Sequence, residues 1–360
     1  MTTMADVARH AGVSVATVSH VLNGTRPVRD TTRAAVLRAI DELGYTPNTL
    51  ARSLVTARTR SIGLAVSPIS NPYFTEILQG VEASALEAGY GLLLADPHDD
   101  PVHERKVVQL LHERRVDGVI VAPSAEPSEM VGYLTRRSVP AVFLDRLAGD
   151  AHDQVCADNT APMRQLVEHL ADLGRTRIGL IAGLPGLSTT TERVAGYRAG
   201  LRSRGLPNDP ALLAGGNSEA AGAEAATHQV LAAAHPPTAL VTANNAMTIG
   251  ALRALGTRGL RVPHDVALAC FDDFSWADLF TPRLTAVAQP GKEIGAAAVR
   301  LLLDRLADPG RAPRTLRLPC TLAHRTSCGC PEPPDGAVTT PRPGTAPPTA
   351  PATDGRKSAP

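Results

Sequence analysis

The sequence predicts an all-α N-terminal unit followed by an α/β core of doubly wound parallel sheets. Three observations carry that prediction. Two short helical patterns flank a glycine within the first 24 residues; from Ser61 short apolar strands alternate with amphipathic helices; and the last 30 residues, 331–360, have no apolar periodicity. At 360 residues the chain is too long for one ordinary compact unit, so two or three domains are expected.

The first helix opens at Thr3. With Asp6 three residues on, it forms a capping box in which each side chain satisfies a backbone donor at the other's position. Val7, Ala8 and Ala11 follow at helical spacing, and Gly12 supplies the positive φ that a sharp helix exit needs. Ser14 caps a second helix whose apolar face is Val18, Val21 and Leu22, ended by Asn23-Gly24. Two helices joined by a short glycine turn make a helix-turn-helix, whose second helix is narrow enough to enter a DNA major groove. Its outward face carries Val15, Ala16, Thr17, Ser19 and His20. A third helix runs from Asp30 to Leu43 with Val36, Ile40 and Leu43 as its buried stripe, and Gly44 stops it.

Charge distribution agrees with that reading. The net charge is only +1, but residues 1–60 hold eight arginines against four carboxylates, which leaves the remainder at −3. A basic end on a slightly acidic chain suits phosphate contact. The N-terminus has no cationic segment followed by an apolar signal core, and no apolar run is long enough to span a bilayer, so a cytoplasmic protein with no membrane partner is expected. The five cysteines, Cys156, Cys270, Cys320, Cys328 and Cys330, are an odd number without a scaffold pattern and are expected to be reduced. Cys-x-Cys is a cramped spacing for a tetrahedral zinc site, so Cys320, His324, Cys328 and Cys330 are not read as a metal site, and no metal or cofactor is expected.

Beyond the third helix come GYTPNTLARSL and, after the first core strand, SNPYF. Together with ADVARHAGVSVATVSHVLNG, these motifs make the chain resemble the lactose-repressor (LacI/GalR) family of bacterial transcription regulators. The resemblance runs from about Thr3 to about Cys328. It implies a helix-turn-helix domain over 1–47, a hinge helix and linker over 48–60, a two-lobed periplasmic-binding-protein-like core over 61–330 and a Pro-rich tail over 331–360. A helix as short as Asn48 to Arg58 is marginal in water and forms only when something holds it. In the family, it orders on operator DNA and pairs with its twin in the minor groove, and Leu54 falls on the leucine that wedges between base pairs. The resemblance implies DNA contacts by Thr3, Val15, Ala16, Thr17, Ser19, His20, Asn23, Arg29, Asn48, Ala51, Arg52, Leu54 and Val55. Arg29, Arg52 and Arg58 would meet phosphates.

In the core, SIGLAVS, YGLLLAD, VDGVIVAP and VPAVFLD read as strands between helical runs 73–88, 102–114 and 127–137. A second set begins near Asp158: RIGLIAG, TALVTAN and VALACFDD alternate with helices 160–173, 190–204, 219–233 and 245–256. The helix Gly291 to Leu306 and the strand RTLRLP are expected to return to the first sheet, giving a first lobe of about 61–158 and 289–325 and a second of about 159–288. Ligands of open parallel sheets bind off the carboxyl ends of the strands, which here is the cleft between lobes. Asn71, Asp145, Asn244 and Asp272 follow strands in that way, and Arg193 lies on a helix near the cleft. Family resemblance assigns all of these to an effector pocket, with Tyr73, Phe74 and Gln289 as further lining. Planar groups that donate and accept in pairs suit polyhydroxylated ligands such as sugars. Where many relatives carry an aromatic stacking residue, this chain has Asn217. Trp276, the single tryptophan, is read as packing.

Catalysis is not indicated. The glycine-rich IAGLPGLS lacks the Lys-Ser/Thr ending of a phosphate loop and the spacing of a dinucleotide fingerprint, and no nucleophile constellation is present. The tail is dominated by Pro, Ala, Thr and Gly and is expected to be disordered. The chain therefore reads as a homodimeric regulator, nucleoid-associated when bound, that recognises a palindromic operator and answers to a small sugar-like effector. A solute-binding protein of the same core fold is the alternative, and it would have no use for residues 1–60.

Overall fold

A computed structural model describes residues 2–24, 26–46, 58–279 and 281–331, and its side-chain description omits Asn23. Expectations for Asn48, Ala51, Arg52, Leu54 and Val55, for the hinge helix, and for the tail beyond 331 lie outside the described residues. The chain forms two compact units, Met1–Ser61 with Arg115–Asp117, and Ile62–Arg114 with Gly118–Pro360.

In the first unit, α1 spans Met4–His10, α2 Val15–Asn23 and α3 Asp30–Glu42. Both N-terminal caps form as the sequence requires. Thr3 Oγ1 accepts from the Asp6 amide at 3.3 Å while Asp6 accepts from the Thr3 amide at 2.9 Å, and Ser14 Oγ accepts from the Thr17 amide at 3.1 Å. Gly12 and Gly24 take φ values of 65° and 63°, which end α1 and α2 without the steric cost a Cβ would bring. Val7, Ala8, Val18, Val21, Val36, Ala39 and Tyr45 form the unit's own small core.

The second unit holds two six-stranded sheets. The first contains β1 (Ser61–Ala65), β2 (Gly91–Ala95), β3 (Gly118–Val121), β4 (Ala141–Leu144), β5 (Asp153–Ala157) and β11 (Thr315–Leu318) in the order β11-β5-β4-β3-β1-β2. Its helices are α4 (Pro72–Glu87), α5 (Pro101–Glu113), α6 (Ser128–Arg136) and α11 (Gly291–Ala307). The second contains β6 (Ile178–Ala182), β7 (Leu213–Gly215), β8 (Ala239–Thr242), β9 (Ala267–Phe271), β10 (Thr285–Ala288) and β12 (Thr321–Ala323) in the order β12-β10-β9-β8-β6-β7. Its helices are α7 (Thr160–Asp172), α8 (Ser188–Ser203), α9 (Ala220–Leu231) and α10 (Asn245–Thr257).

Four strands had no clear sequence signal. β5 begins with Asp153, which is fully buried because Arg305 and Arg311 both reach its Oδ2 at 2.9 Å. β7, β10 and β12 are three or four residues long, too short for an alternation to register. The reading of 289–325 as first lobe also meets a difference. α11 and β11 lie with the first sheet, whereas β12 joins the second, antiparallel to β10 through Ala286 opposite Ala323. Pro319 and Cys320 separate those two strands, and the chain changes lobe there.

Helices α4 and α11 cross on glycine. A Cβ at Gly80 would overlap the Lys292 carbonyl, and one at Gly295 would overlap the Ile77 carbonyl. Both obstructions are backbone, so relief requires the helices to separate. Gly295→Ala should therefore destabilise the second unit by about 1–3 kcal/mol, the usual range for overpacking. Denaturant unfolding checks this, and an unchanged midpoint would mean that the crossing is not tight in solution.

Candidate effector cleft and nucleic-acid interface

In the first unit, the outward face of α2 is formed as expected. Val15 and Ala16 are exposed, Val15 with 46% of its surface, while Thr17, Ser19 and His20 are half-buried. Thr17 Oγ1 shares a 2.9 Å hydrogen bond with Ser14. Arg29 is exposed at the N-terminus of α3. Asp6, the one carboxylate of α1, is occupied by the cap and by Arg9 at 3.1 Å, and the Thr3 hydrogen bonds hold its pKa below the ordinary range. Its negative charge is thus locally committed.

The second unit contains a cleft of about 650 Å³ between its two lobes. Asn71, Tyr73, Phe74, Asp145, Arg193, Asn244 and Asp272 all line it. All but Arg193, which projects from the second turn of α8, are placed by a strand end or helix start. Asn71 caps α4, accepting from the Tyr73 amide at 2.9 Å, and Asn244 caps α10, accepting from the Met247 amide at 2.7 Å. Asp145 and Asp272 directly follow β4 and β9 with φ of 63° and 72°. Aspartate tolerates this left-handed conformation better than most residues.

The cleft's charges are paired. Tyr73 donates its hydroxyl to Asp145 at 2.9 Å, and Arg146 lies 3.5 Å from Asp145 and is ion-paired with Asp99. Arg193 donates Nε to Asn159 at 2.7 Å and NH1 to the Ala243 carbonyl; its NH2 lies 3.9 Å from Asp272, and its guanidinium sits 3.8 Å over the Phe271 ring. Burial pushes the carboxyls of Asp145 and Asp272 above their ordinary pKa, with nearby arginines opposing, and it raises the Tyr73 hydroxyl strongly.

Gln289 is the exception among the expected lining residues. It does not line this cleft but a neighbouring cavity of about 230 Å³, where it reaches Asp272 from behind with an Nε2 to Oδ1 bond of 2.5 Å. Its Oε1 is buried without a protein partner. Residues that sequence reasoning did not single out also line the cleft, among them His98, Asp99, Arg146, Thr190 and Ser218. Asn159 missed notice because its role is indirect: it orients Arg193. Arg146 follows Asp145 directly, which was the available signal. Asn217, standing where relatives carry an aromatic, lines the cleft too.

All five cysteines are free. Burial pushes Cys156, Cys270 and Cys320 up to about 12, so these thiols are protonated and unreactive near neutrality. Trp276 packs 4.1 Å from Phe274, centroid to centroid. Among the described residues no helix is long and apolar enough to cross a membrane.

Residues 3–48 match the family model described as bacterial regulatory proteins, lacI family, and residues 167–328 match the periplasmic binding protein-like domain. The chain is 37% identical to the HTH-type transcriptional repressor PurR of Yersinia pestis bv. Antiqua (strain Antiqua) over 331 residues, 91% of this chain and 97% of that one. Among solved structures, it is similar to the transcriptional regulator CelR–cellobiose complex, with 33% identity, a TM-score of 0.69, and coverage of 91% and 100% of the two chains. It is likewise similar to the lac repressor dimer bound to operator and the anti-inducer ONPF, with 29% identity, a TM-score of 0.81, and coverage of 91% and 99%.

The raised carboxyls have a consequence for stability. A group whose folded pKa lies above its unfolded value favours the fold at low pH, and that contribution is lost as pH rises through the folded value. Asp145→Asn removes one such group. Relative to the parent, the variant's unfolding free energy should therefore shift in the variant's favour as pH is raised from about 4 to about 7. Urea titrations at both pH values test this, and a pH-independent difference would contradict it.

Proposed function

The chain belongs to the lacI family of bacterial regulatory proteins, and on that premise we propose residue roles for a regulator that binds operator DNA as a homodimer and answers to a small-molecule effector. Regulation of transcription, operator binding, dimerisation and the absence of enzymatic activity follow from membership. The solute-binding alternative has no place for the matched 3–48 region.

We propose that Val15 to His20 enter the major groove of one half-site, with Thr3, Asn23 and Arg29 beside them. Val15 and Ala16 would meet thymine methyls, Thr17, Ser19 and His20 would exchange hydrogen bonds with base edges, and Arg29 would hold a phosphate. Asn48, Ala51, Arg52, Leu54 and Val55 would serve the centre of the site, a role that rests on resemblance alone. We divide the chain as 1–47, 48–60, 61–330 and 331–360, and place it in the cytoplasm, at the nucleoid when operator-bound.

The observation that carries the effector assignment is the convergence of seven expected polar and aromatic residues from both lobes on one cleft. Asp145, Arg193, Asp272, Asn71 and Asn244 offer acceptors and forked donors suited to a polyhydroxylated ligand. One structural relative holds cellobiose, which favours a sugar. A ligand that touches both lobes shifts the population toward the arrangement it binds better, and it alters operator affinity only through that difference.

Footprinting on the chain's own upstream DNA tests the operator role. A protected inverted repeat is expected, with affinity that falls steeply as salt rises; protection that ignores salt would contradict phosphate contact. Leu54→Ala should weaken operator binding and leave ligand binding intact, whereas equal loss of both would indicate misfolding. Arg193→Ala should abolish the ligand response while operator binding persists. A normal response in that variant would sink the cleft assignment.

A further inference from the structure

We propose that the C-terminal end of the second lobe holds a thiophilic transition-metal ion, of which zinc is the reference case, through His169 Nε2, Cys328 Sγ and Cys330 Sγ. The three ligand atoms lie within 4.8 Å of one another, with Nε2 3.3 Å from Cys328 Sγ and 3.5 Å from Cys330 Sγ. Around a tetrahedral zinc with Zn–S of about 2.3 Å and Zn–N of about 2.05 Å, the N···S edge is about 3.6 Å. Both separations are close to that edge.

The sequence made Cys-x-Cys look too cramped to chelate, and it hid the histidine, which is 159 residues upstream of Cys328. Gly329 resolves the spacing. Its φ of 100° is open to glycine and lets the chain turn so that both sulfurs converge on one imidazole nitrogen. The segment is held independently of any metal: Leu268 donates to the Ser327 carbonyl at 2.8 Å, Ser327 Oγ donates to the Leu268 carbonyl at 2.6 Å, and Thr285 donates to Ser327 Oγ at 2.8 Å. Cys328 is fully buried, and His169 and Cys330 are half-buried. The ligand positions are therefore fixed by the fold.

Cys328 Sγ donates to the Arg325 carbonyl at 3.2 Å, and both sulfurs also lie within hydrogen-bond reach of the one Nε2. A neutral imidazole nitrogen carries either one proton or one lone pair, so Nε2 can serve one thiol at a time. A metal ion would bind all three atoms at once and fasten the C-terminal segment to α7. His324 stands beside the cluster, its ring edge-on to that of His169 with centroids 4.6 Å apart.

The test uses the full chain without an affinity tag, reduced and stripped with a chelator, then titrated with Co²⁺ and competed with Zn²⁺. The expected result is one equivalent bound, with a sulfur-to-cobalt charge-transfer band and intense tetrahedral visible bands that zinc abolishes. Zinc should also raise Tm. Cys330→Ser should lower cobalt affinity at least about 100-fold, since loss of even an outer-shell partner costs 10–100-fold, and should remove the zinc-dependent rise in Tm. Absence of the charge-transfer band, or cobalt binding unchanged in Cys330→Ser, would overturn the proposal. If Cys330→Ser does not fold, the titration of the parent chain decides alone.

Discussion

Four ionisable side chains buried in one cleft constrain the second unit. Asp145, Arg146, Arg193 and Asp272 are each nearly inaccessible, and an unpaired buried charge costs several kcal/mol. The fold meets this by placing opposite charges from separate elements against one another. Asp145 and Asp272 use the same device in the two lobes, an aspartate directly after a central strand in left-handed backbone. Arg146 and Arg193 then arrive from a loop and from α8, each with a partner outside the pair, Asp99 in one case and Asn159 in the other. The directions of these side chains are thus set by protein partners.

Both lobes are needed to complete that arrangement, and hydrogen bonds among the described residues join them beside the crossing chain segments. Asn245 donates to Asn71 at 2.9 Å, the Leu147 amide donates to Ser188 at 2.8 Å, and Arg317 meets Glu192 with bonds of 3.1 and 2.7 Å. Arg317 and Glu192 are partly exposed, so that pair contributes little on its own. A ligand spanning the cleft can compete with such contacts on equal terms. Asn71 shows the economy of the design: one Oδ1 caps α4 and also receives the cross-lobe bond, so the residue that starts a helix also reports where the other lobe is.

Much of this was legible in the chain itself. Polar residues ending apolar strands, and caps preceding apolar periodicity, are local signals, and Asn71, Asp145, Asn244 and Asp272 were found that way. Tyr73 and Phe74 came with the motif that follows the first strand. What escaped depended on convergence between distant segments. Gln289 was expected to line the cleft on family resemblance alone, but α11 starts at Gly291 and the side chain approaches Asp272 from the neighbouring cavity. Asp153 disguised β5, because a carboxylate opening a strand looks like a turn until two arginines are seen to neutralise it. β12 changed lobes because a three-residue strand is assigned by its pairing partner, and no local pattern names β10.

In the first unit, affinity and specificity would come from different residues on the proposed reading. The α2 segment from Val15 to His20 contains no arginine or lysine, so it cannot make the bidentate guanine contact that arginine provides. Leaving Val15 nearly half exposed has an energetic cost in the free protein, and burial against a thymine methyl would recover it. The arginines lie elsewhere in residues 1–60, and on this reading Arg29, Arg52 and Arg58 would add phosphate contacts whose contribution falls with salt. A recognition helix of this kind discriminates weakly by charge and more by fit. An operator change from thymine to cytosine opposite Val15 would then be felt as lost apolar contact, with the salt slope unaltered.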